Sequence, residues 1–193
     1  MNLSAAKNYI LTRLENKLST DYHYHSIQHT LDVHRSCIQL AGMEGVNSRD
    51  LMILETAAYY HDCGIIETYQ DHEEASVEIA HKVLPQFGYT GQDIETISCV
   101  IMKTKLPQSA ITLLGEILCD ADLDYLGRPD FFMIAHRLRY EWELIGNYYD
   151  LPKWYELQFN FLNNHKYYTR AARLLRNEGK EKNLAEVRKI LRK

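Results

Sequence analysis

Apolar residues recur at helical spacing along most of this chain, as in the stripe formed by Tyr9, Ile10, Leu14 and Leu18. The periodicity predicts nine helices, over residues 4–18, 26–41, 48–61, 72–84, 92–103, 110–121, 129–145, 152–175 and 183–191. Ser48 is a candidate helix N-cap, and Gly64 is a candidate stop for the third helix. No segment shows the alternating pattern of a β-strand. The predicted fold is an all-α, single-domain helical bundle.

The composition agrees with one helical domain. The chain has 193 residues with only four prolines and nine glycines, which argues against a turn-rich architecture. We expect a single domain over 1–193, with a core at about 22–162 and basic C-terminal helices at 163–193. The four cysteines show no paired spacing and lie in apolar surroundings, so we expect reduced core residues of a cytoplasmic protein. The start of the chain lacks the apolar core of a signal peptide, and no apolar run is long enough to span a membrane.

The charge is unevenly distributed. The formal net charge is −4, but nine Lys or Arg and three Glu give residues 170–193 a local charge of +6, which leaves −10 on the rest. An acidic body argues against nucleic acid as the main partner, and no membrane partner is expected. The basic tail is predicted to be a solvated helical face or a contact in a homo-oligomer. The alternative is that it steers an anionic substrate.

Candidate chemistry lies in three separate segments. His25 and His29 are four residues apart, which on a helix would place them on one face. His61 and Asp62 end an apolar helical run, and Asp122 ends another. A carboxylate buried beside histidine is costly unless it is paired, and a divalent ion would pair it. The alternative is a set of satisfied core histidines and helix-ending aspartates.

Imidazole and carboxylate donors together restrict the expected ion. They favour Mn, Fe, Co, Ni or Zn ahead of Mg, with about two coordination positions left open for water or substrate. We expect one tight metal site, and whether the protein binds a second ion is left undecided by the sequence. Such an ion would activate water and polarise a phosphoryl group.

The order of these residues resembles the H…HD…D signature of the HD superfamily of metal-dependent phosphohydrolases. The string from Tyr24 to Val33 also resembles the Tyr-His-Asn-x-x-His-x-x-Asp-Val string of cyclic nucleotide phosphodiesterases, with Ser26 in place of the Asn. The resemblance implies four metal ligands, which are His29, His61, Asp62 and Asp122. It implies that His25 donates a proton to the leaving oxygen, and histidine suits this role near neutral pH. Asp62 could also hold the attacking water.

Three further residues are candidates for contacts with a second ion or with phosphate. His72 follows the His-Asp pair by ten residues, and it could bind a second metal or a substrate phosphate, or lie on the surface. Lys103 stands where two-metal members of the superfamily often carry another histidine, which favours one ion and makes Lys103 a candidate phosphate contact. Arg128 is a candidate phosphate clamp. Lys103 and Arg128 could equally be ordinary surface residues.

These observations predict a phosphohydrolase that cleaves a small phosphate ester, in particular a nucleotide, with water activated by the ion and His25 as general acid. Two other functions stay open. One is a di-iron oxygenase with an HD fold, which would need further histidine ligands. The other is a non-catalytic sensor or binding module that keeps the ion for structure.

Overall fold

The helical periodicity is realised as nine α-helices in residues 1–192, the part of the chain that this computed structural model describes. The helices are Leu3–Lys17 (α1), Ile27–Glu44 (α2), Ser48–Tyr60 (α3), His72–Val83 (α4), Gly91–Ile101 (α5), Leu113–Asp122 (α6), Phe131–Leu144 (α7), Leu151–Asn164 (α8) and Arg170–Leu191 (α9). Short 3-10 helices occupy Cys63–Ile66, Leu84–Phe87 and Asp124–Gly127. Residues 1–192 contain no β-strand. The all-α prediction is confirmed.

Local side chains explain where two predicted boundaries were wrong. Asn47, not Ser48, caps α3, because its side chain accepts hydrogen bonds from two backbone N–H groups of the first turn. The predicted helices 152–175 and 183–191 are instead α8 and one long α9. The break between them is fixed by buried Asp120, which accepts hydrogen bonds from the backbone N–H groups of Tyr168 and Thr169 at 2.8 and 2.7 Å. A chain held by these bonds cannot continue helically through this point.

The buried side chains form two clusters. The N-terminal core joins α1 to α6 with the start of α9, and it is largely aliphatic; its fully buried members include Ile10, Leu54, Ile97 and Leu118. The C-terminal core joins α7, α8 and the end of α9 with the turn after α6, and it is rich in aromatic rings; its members include Leu126, Phe131, Trp154 and Val187.

Two glycines let α9 approach the turn that follows α6. A Cβ atom at Gly179 would lie 1.9 Å from the carbonyl oxygen of Gly127, and a Cβ at Gly127 would lie 2.5 Å from the carbonyl oxygen of Arg176. Asn183 donates hydrogen bonds to the carbonyls of Leu126 and Arg128, both at 2.9 Å. Helix α9 is therefore fastened directly to the segment that begins two residues after Asp122.

The sequence suggested that Gly64 ends the third helix, and this prediction was wrong because α3 already ends at Tyr60. Gly64 is required for close packing instead. A Cβ at this position would lie 2.1 Å from the carbonyl oxygen of His72, and the Gly64 N–H donates to Ser76 Oγ at 2.7 Å. The start of α4 is thereby held against the segment that follows the His-Asp pair.

The cysteines are unpaired, as predicted, but they are not all core residues. Cys37, Cys63 and Cys119 are buried, whereas Cys99 is exposed on α5, so the core assignment of Cys99 was wrong. The predicted cytoplasmic location stays a prediction. Among the described helices, none combines the length and the apolar character needed to cross a bilayer.

Candidate metal centre and adjoining cavity

Four side chains from three separate segments converge at one point. They are His29, His61, Asp62 and Asp122, and each offers a ligand atom within 4.8 Å of the others. His29 Nε2 lies 3.1 Å from Asp122 Oδ1 and 3.3 Å from Asp62 Oδ2. His61 Nε2 lies 3.1 Å from Asp62 Oδ2 and 3.3 Å from His29 Nε2. This convergence is what the resemblance to the HD superfamily implies.

The ends of three packed helices place these groups. His29 lies in the first turn of α2, His61 directly follows α3, and Asp122 is the last residue of α6, while α2 packs against both other helices. His61 Nδ1 faces the carbonyl oxygen of Ala58 at 2.9 Å. Because a carbonyl only accepts, Nδ1 carries a proton, and Nε2 is the ring atom directed to the cluster, where it would bind a metal ion after losing its own proton.

The electrostatics of the cluster suit a cation. Burial lowers the pKa of His29, but its hydrogen bonds to Asp122 and Asp62 outweigh this effect and raise the pKa to about 9. Burial has the opposite effect on a carboxyl group and would raise the pKa of Asp62, but neighbouring His61 and His29 hold that pKa well below its usual value. Two carboxylates that retain protons on buried imidazoles would also attract a metal ion. Two nitrogen and two oxygen donors fit a divalent transition metal.

A second group shares one residue with the first. His25, Asp62 and His72 also offer ligand atoms within 4.8 Å of one another. Asp62 Oδ2 faces His29 and His61, whereas Oδ1 lies 3.5 Å from His72 Nε2. His72 Nδ1 faces the carbonyl oxygen of Tyr69 at 3.0 Å, which leaves Nε2 for a ligand. The two sides of the Asp62 carboxylate thus belong to two different donor groups.

His25 precedes α2, so the expectation that it shares a helix face with His29 was wrong. Ser26 is the N-cap of α2: its backbone is extended, and its side chain accepts from the backbone N–H of His29 at 3.3 Å. Serine and asparagine are both favourable N-caps, so a serine at this position is compatible with the start of a helix. The rings of His25 and His29 are still close, with centroids 6.4 Å apart.

Glu141 of α7 positions His25. Its side chain is fully buried, and Oε2 accepts from the backbone N–H groups of Tyr24 and His25 at 2.8 and 3.0 Å. Oε1 accepts from the Tyr69 hydroxyl at 3.0 Å and pairs with His25 Nδ1. Burial raises the pKa of a carboxyl group, but the bonds from His25 and the backbone outweigh it, so the pKa of Glu141 is lowered. With Nδ1 engaged, His25 Nε2 is left for a ligand.

Sequence reasoning missed Glu141. It lies 116 residues beyond His25 along the chain, in a helix with several other charged residues, and no local motif sets it apart. The one available signal was its place between Tyr140 and Trp142, where burial of a carboxylate would demand several hydrogen-bond donors.

A cavity of about 270 Å³ lies beside the second donor group. His25, Asp62 and His72 line it on one side, and Asp122 connects it to the first group. The opposite walls include residues of α7 and α8 together with a tyrosine from the loop before α4, namely Leu138, Trp142, Leu157, Gln158, Phe161 and Tyr69. The candidate metal centre therefore opens into a chamber with mostly apolar walls.

The two predicted phosphate-contacting cations lie outside the lining of this chamber. Lys103 precedes Thr104, which does line it. Arg128 is bound to Asp130, with Nε 2.9 Å from Oδ1, and lies 3.6 Å from a carboxylate oxygen of Asp32. It lines a separate, smaller cavity that also touches His29 and Asp122. Phosphate contacts by Lys103 and Arg128 stay predictions.

Comparisons with solved structures agree on the fold. The chain is similar to a predicted HD superfamily hydrolase from an uncultured Thermotogales bacterium, with 23% identity, coverage of 95% of this chain and 90% of that one, and a TM-score of 0.65. It is similar to Bacillus subtilis YpgQ in complex with ADP, with 22% identity, coverage of 98% and 95%, and a TM-score of 0.69. It is also similar to a Lactobacillus plantarum protein, with 19% identity, coverage of 98% of this chain and 94% of that one, and a TM-score of 0.71. No curated protein sequence matches the chain.

The family is established by a sequence match. The sequence model of the HD domain matches residues 26–124, which is just over half of the chain. The matched range contains all four members of the first donor group and His72 of the second. The chain therefore belongs to the HD domain family, and its all-helical fold is that of HD superfamily hydrolases.

Proposed function

We propose that this protein is a metal-dependent phosphohydrolase that cleaves a small phosphate ester, in particular a nucleotide. The observation that carries the proposal is the convergence of His29, His61, Asp62 and Asp122 at the edge of a ligand-sized cavity. Those four side chains would hold one divalent ion, which when bound supplies Lewis acidity toward the phosphoryl group and lowers the pKa of water.

Residues of the second group do the remaining work. Asp62 Oδ1 faces away from the first donor group, and it accepts a hydrogen bond from the attacking water and orients it. His25 donates the proton from Nε2 to the leaving alkoxide, while Glu141 fixes its ring through Nδ1. His72 Nε2 contacts a phosphate oxygen or contributes to a second ion.

Two observations favour a nucleotide as the ester. The cavity is near the lower end of the volumes that small-molecule sites occupy, and its walls carry the rings of Tyr69, Trp142 and Phe161, on which a nucleobase can stack. In addition, YpgQ, a protein of the same fold, has been crystallised in complex with ADP.

The test begins with protein stripped by a chelator and reloaded separately with Mn, Fe, Co, Ni, Zn or Mg. We expect at least one ion to support release of phosphate or nucleoside from a panel of nucleotides and simple esters. The Asp62→Asn variant should lose tightly bound metal and activity together. His25→Asn should keep the metal and lose about 100- to 10,000-fold in kcat. His81→Asn, which changes a half-exposed histidine outside both groups, is the matched control.

Each part of the proposal can be contradicted separately. Absence of hydrolysis with every ion, with Asp62→Asn changing only stability, would overturn the phosphohydrolase. Full activity of metal-loaded His25→Asn would relocate the general acid. The second donor group gives the di-iron oxygenase a specific basis, since Asp62 belongs to both groups. Two irons per chain with oxygen-dependent turnover would favour that function, and bound metal without turnover would favour a sensor.

A further inference from the structure

The chamber beside the metal centre adjoins a larger cavity of about 890 Å³. Three side chains line both spaces and so form the partition between them, namely Leu106, Leu123 and Phe161. Leu123 is 5% exposed at the end of α6, and Phe161 lies within α8. Leu106 comes instead from the irregular segment between α5 and α6 and is 59% exposed. It is therefore the member of the partition that can move without unpacking a helix.

The part of this segment at residues 105–107 is fixed at its two ends. The N–H and the hydroxyl group of Thr104 donate to the carbonyl of Ile101 at 3.0 and 2.8 Å. The side-chain amide of Gln108 donates to the carbonyl of Cys119 at 3.2 Å. Between these anchors, within the part of the chain that the structure describes, residues 105–107 take part in no backbone–backbone hydrogen bond. A segment held in this way can change its conformation at low cost.

Lys105 ties this segment to the start of α4. Its ammonium Nζ donates to Asp71 Oδ1 at 2.6 Å and also binds the carboxylate of Glu74. Asp71 directly precedes α4 but makes no side-chain capping bond to it, so its carboxylate is available to the lysine. The three side chains are 38%, 68% and 44% exposed, and ion pairs that are this exposed are weak and screened by salt. The bridge therefore joins two segments that border the chamber, and it can break readily.

We propose that residues 105–107 form a gate between the two cavities, with Leu106 as the moving side chain and Lys105 as an electrostatic latch. When Lys105 leaves Asp71 and Glu74, the segment swings outward, Leu106 leaves the partition, and the chamber becomes continuous with the larger cavity. This proposal goes beyond the proposed function, because the gate controls entry to the chamber whichever reaction follows.

The larger cavity has the charge expected of an entrance for anions. Among the described residues that line it, Lys166 and Arg173 are cations and none is an aspartate or a glutamate. The described lining of the chamber, by contrast, contains no lysine or arginine. The two cations therefore act before entry, by raising the concentration of anionic ligands outside the gate.

Leucine-methyl NMR on the metal-free full chain measures the gate directly. We expect relaxation dispersion at the Leu106 methyl groups, from exchange between a major closed and a minor open state, and none at fully buried Leu118. Lys105→Met removes the charge at similar length and should raise the open population about two- to fivefold. Salt at about 0.5 M should do the same in the unmodified protein and have little effect in the variant. Lys82→Met, at an exposed lysine near the end of α4, is the matched control.

Acrylamide, a small neutral quencher of tryptophan fluorescence, tests entry into the chamber. Trp142 lines the chamber, whereas Trp154 is fully buried in the C-terminal core, so quenching reports on Trp142. The quenching constant should be about twofold larger in Lys105→Met than in the unmodified protein, and it should be unchanged in Lys82→Met.

Two results would overturn the gate. One is exchange at Leu106 that is absent, or that is indifferent to Lys105→Met and to salt. The other is acrylamide quenching that is equal in Lys105→Met and in the unmodified protein. Failure of the proposed function looks different, because both measurements would then give the expected result while the metal-loaded protein hydrolysed no phosphate ester.

Discussion

The N-terminal and C-terminal cores differ in what they contribute to the site. The aliphatic N-terminal core holds the helices whose ends carry His29, His61 and Asp122. The aromatic C-terminal core and its neighbours supply the buried carboxylate that holds His25 and most of the chamber wall, including Trp142 and Phe161. The HD domain match, residues 26–124, covers the helices that carry the first donor group and ends before α7 and α8, which supply Glu141 and most of the chamber wall.

This difference separates chemistry from selectivity. Metal ligation tolerates little displacement, and the side chains proposed as ligands lie at the ends of helices that are locked in a dense aliphatic core. Substitutions among the large rings of the chamber wall would leave the four donor side chains untouched. Experiments that uncouple the two regions should therefore affect different properties.

The largest effect should follow from separating α9 from the turn after α6. In Gly179→Ala the new Cβ would meet the Gly127 carbonyl oxygen, and neither backbone can yield without unpacking α9. We expect the free energy of unfolding to fall by about 3 kcal/mol or more, as measured by urea titration. Gly42→Ala is the control, because Gly42 is also within a helix but has open space around it; that change should stabilise by about 0.5–1 kcal/mol. Equal effects of the two variants would refute the close-contact explanation.

An intermediate effect should follow from Glu141→Gln. This change keeps the volume but removes the charge and one of the acceptors that hold the His25 segment. If the proposed hydrolysis is correct, kcat should fall about 10- to 100-fold while metal content is unchanged.

Nitrogen NMR distinguishes this positioning role from a general loss of structure, because the proton on His25 Nδ1 should no longer be fixed. Glu143→Gln, at an exposed residue of the same helix, is the matched control. A lower kcat with the tautomer of His25 unaltered would contradict the role assigned to Glu141.

The smallest of the three effects concerns two half-buried histidines, His29 and His165. Carboxylates raise the pKa of His29, but His165, between α8 and α9, has no hydrogen-bond partner for either ring nitrogen. Burial, with the Lys180 ammonium as a smaller cause, lowers the pKa of His165 to about 4. The neutral ring therefore contributes stability that is fully present above pH 6.5 and is lost as the pH falls toward 4. At pH 5 the loss should be about 1–2 kcal/mol.

In His165→Phe this loss should disappear. Urea titrations at pH 7 and pH 5 give the difference in unfolding free energy for each protein, and the difference should be smaller in the variant. The same dependence on pH in both proteins would show that His165 is not the titrating group.

The sequence predicted the all-α fold and singled out the four residues that meet in the first donor group because both signals are local, and metal binding by those residues stays a prediction. Helical periodicity needs only neighbouring residues, and the histidines and aspartates sit in short recognisable strings. The break at residues 165–169 was not predictable, since it depends on Asp120 contacting a segment almost 50 residues away. Glu141 was missed for the same reason: it is an ordinary polar residue in a helix until distant side chains surround it.

The last turn of α6 carries two carboxylates that face different parts of the molecule. Asp122 points to the donor cluster, while Asp120 binds the backbone at the start of α9. Because only Ala121 separates them, a displacement of the start of α9 would act on the same helical turn that positions the Asp122 carboxylate. If Asp122 binds a metal ion as proposed, retention of that ion would depend on whether α9 is docked on the rest of the protein.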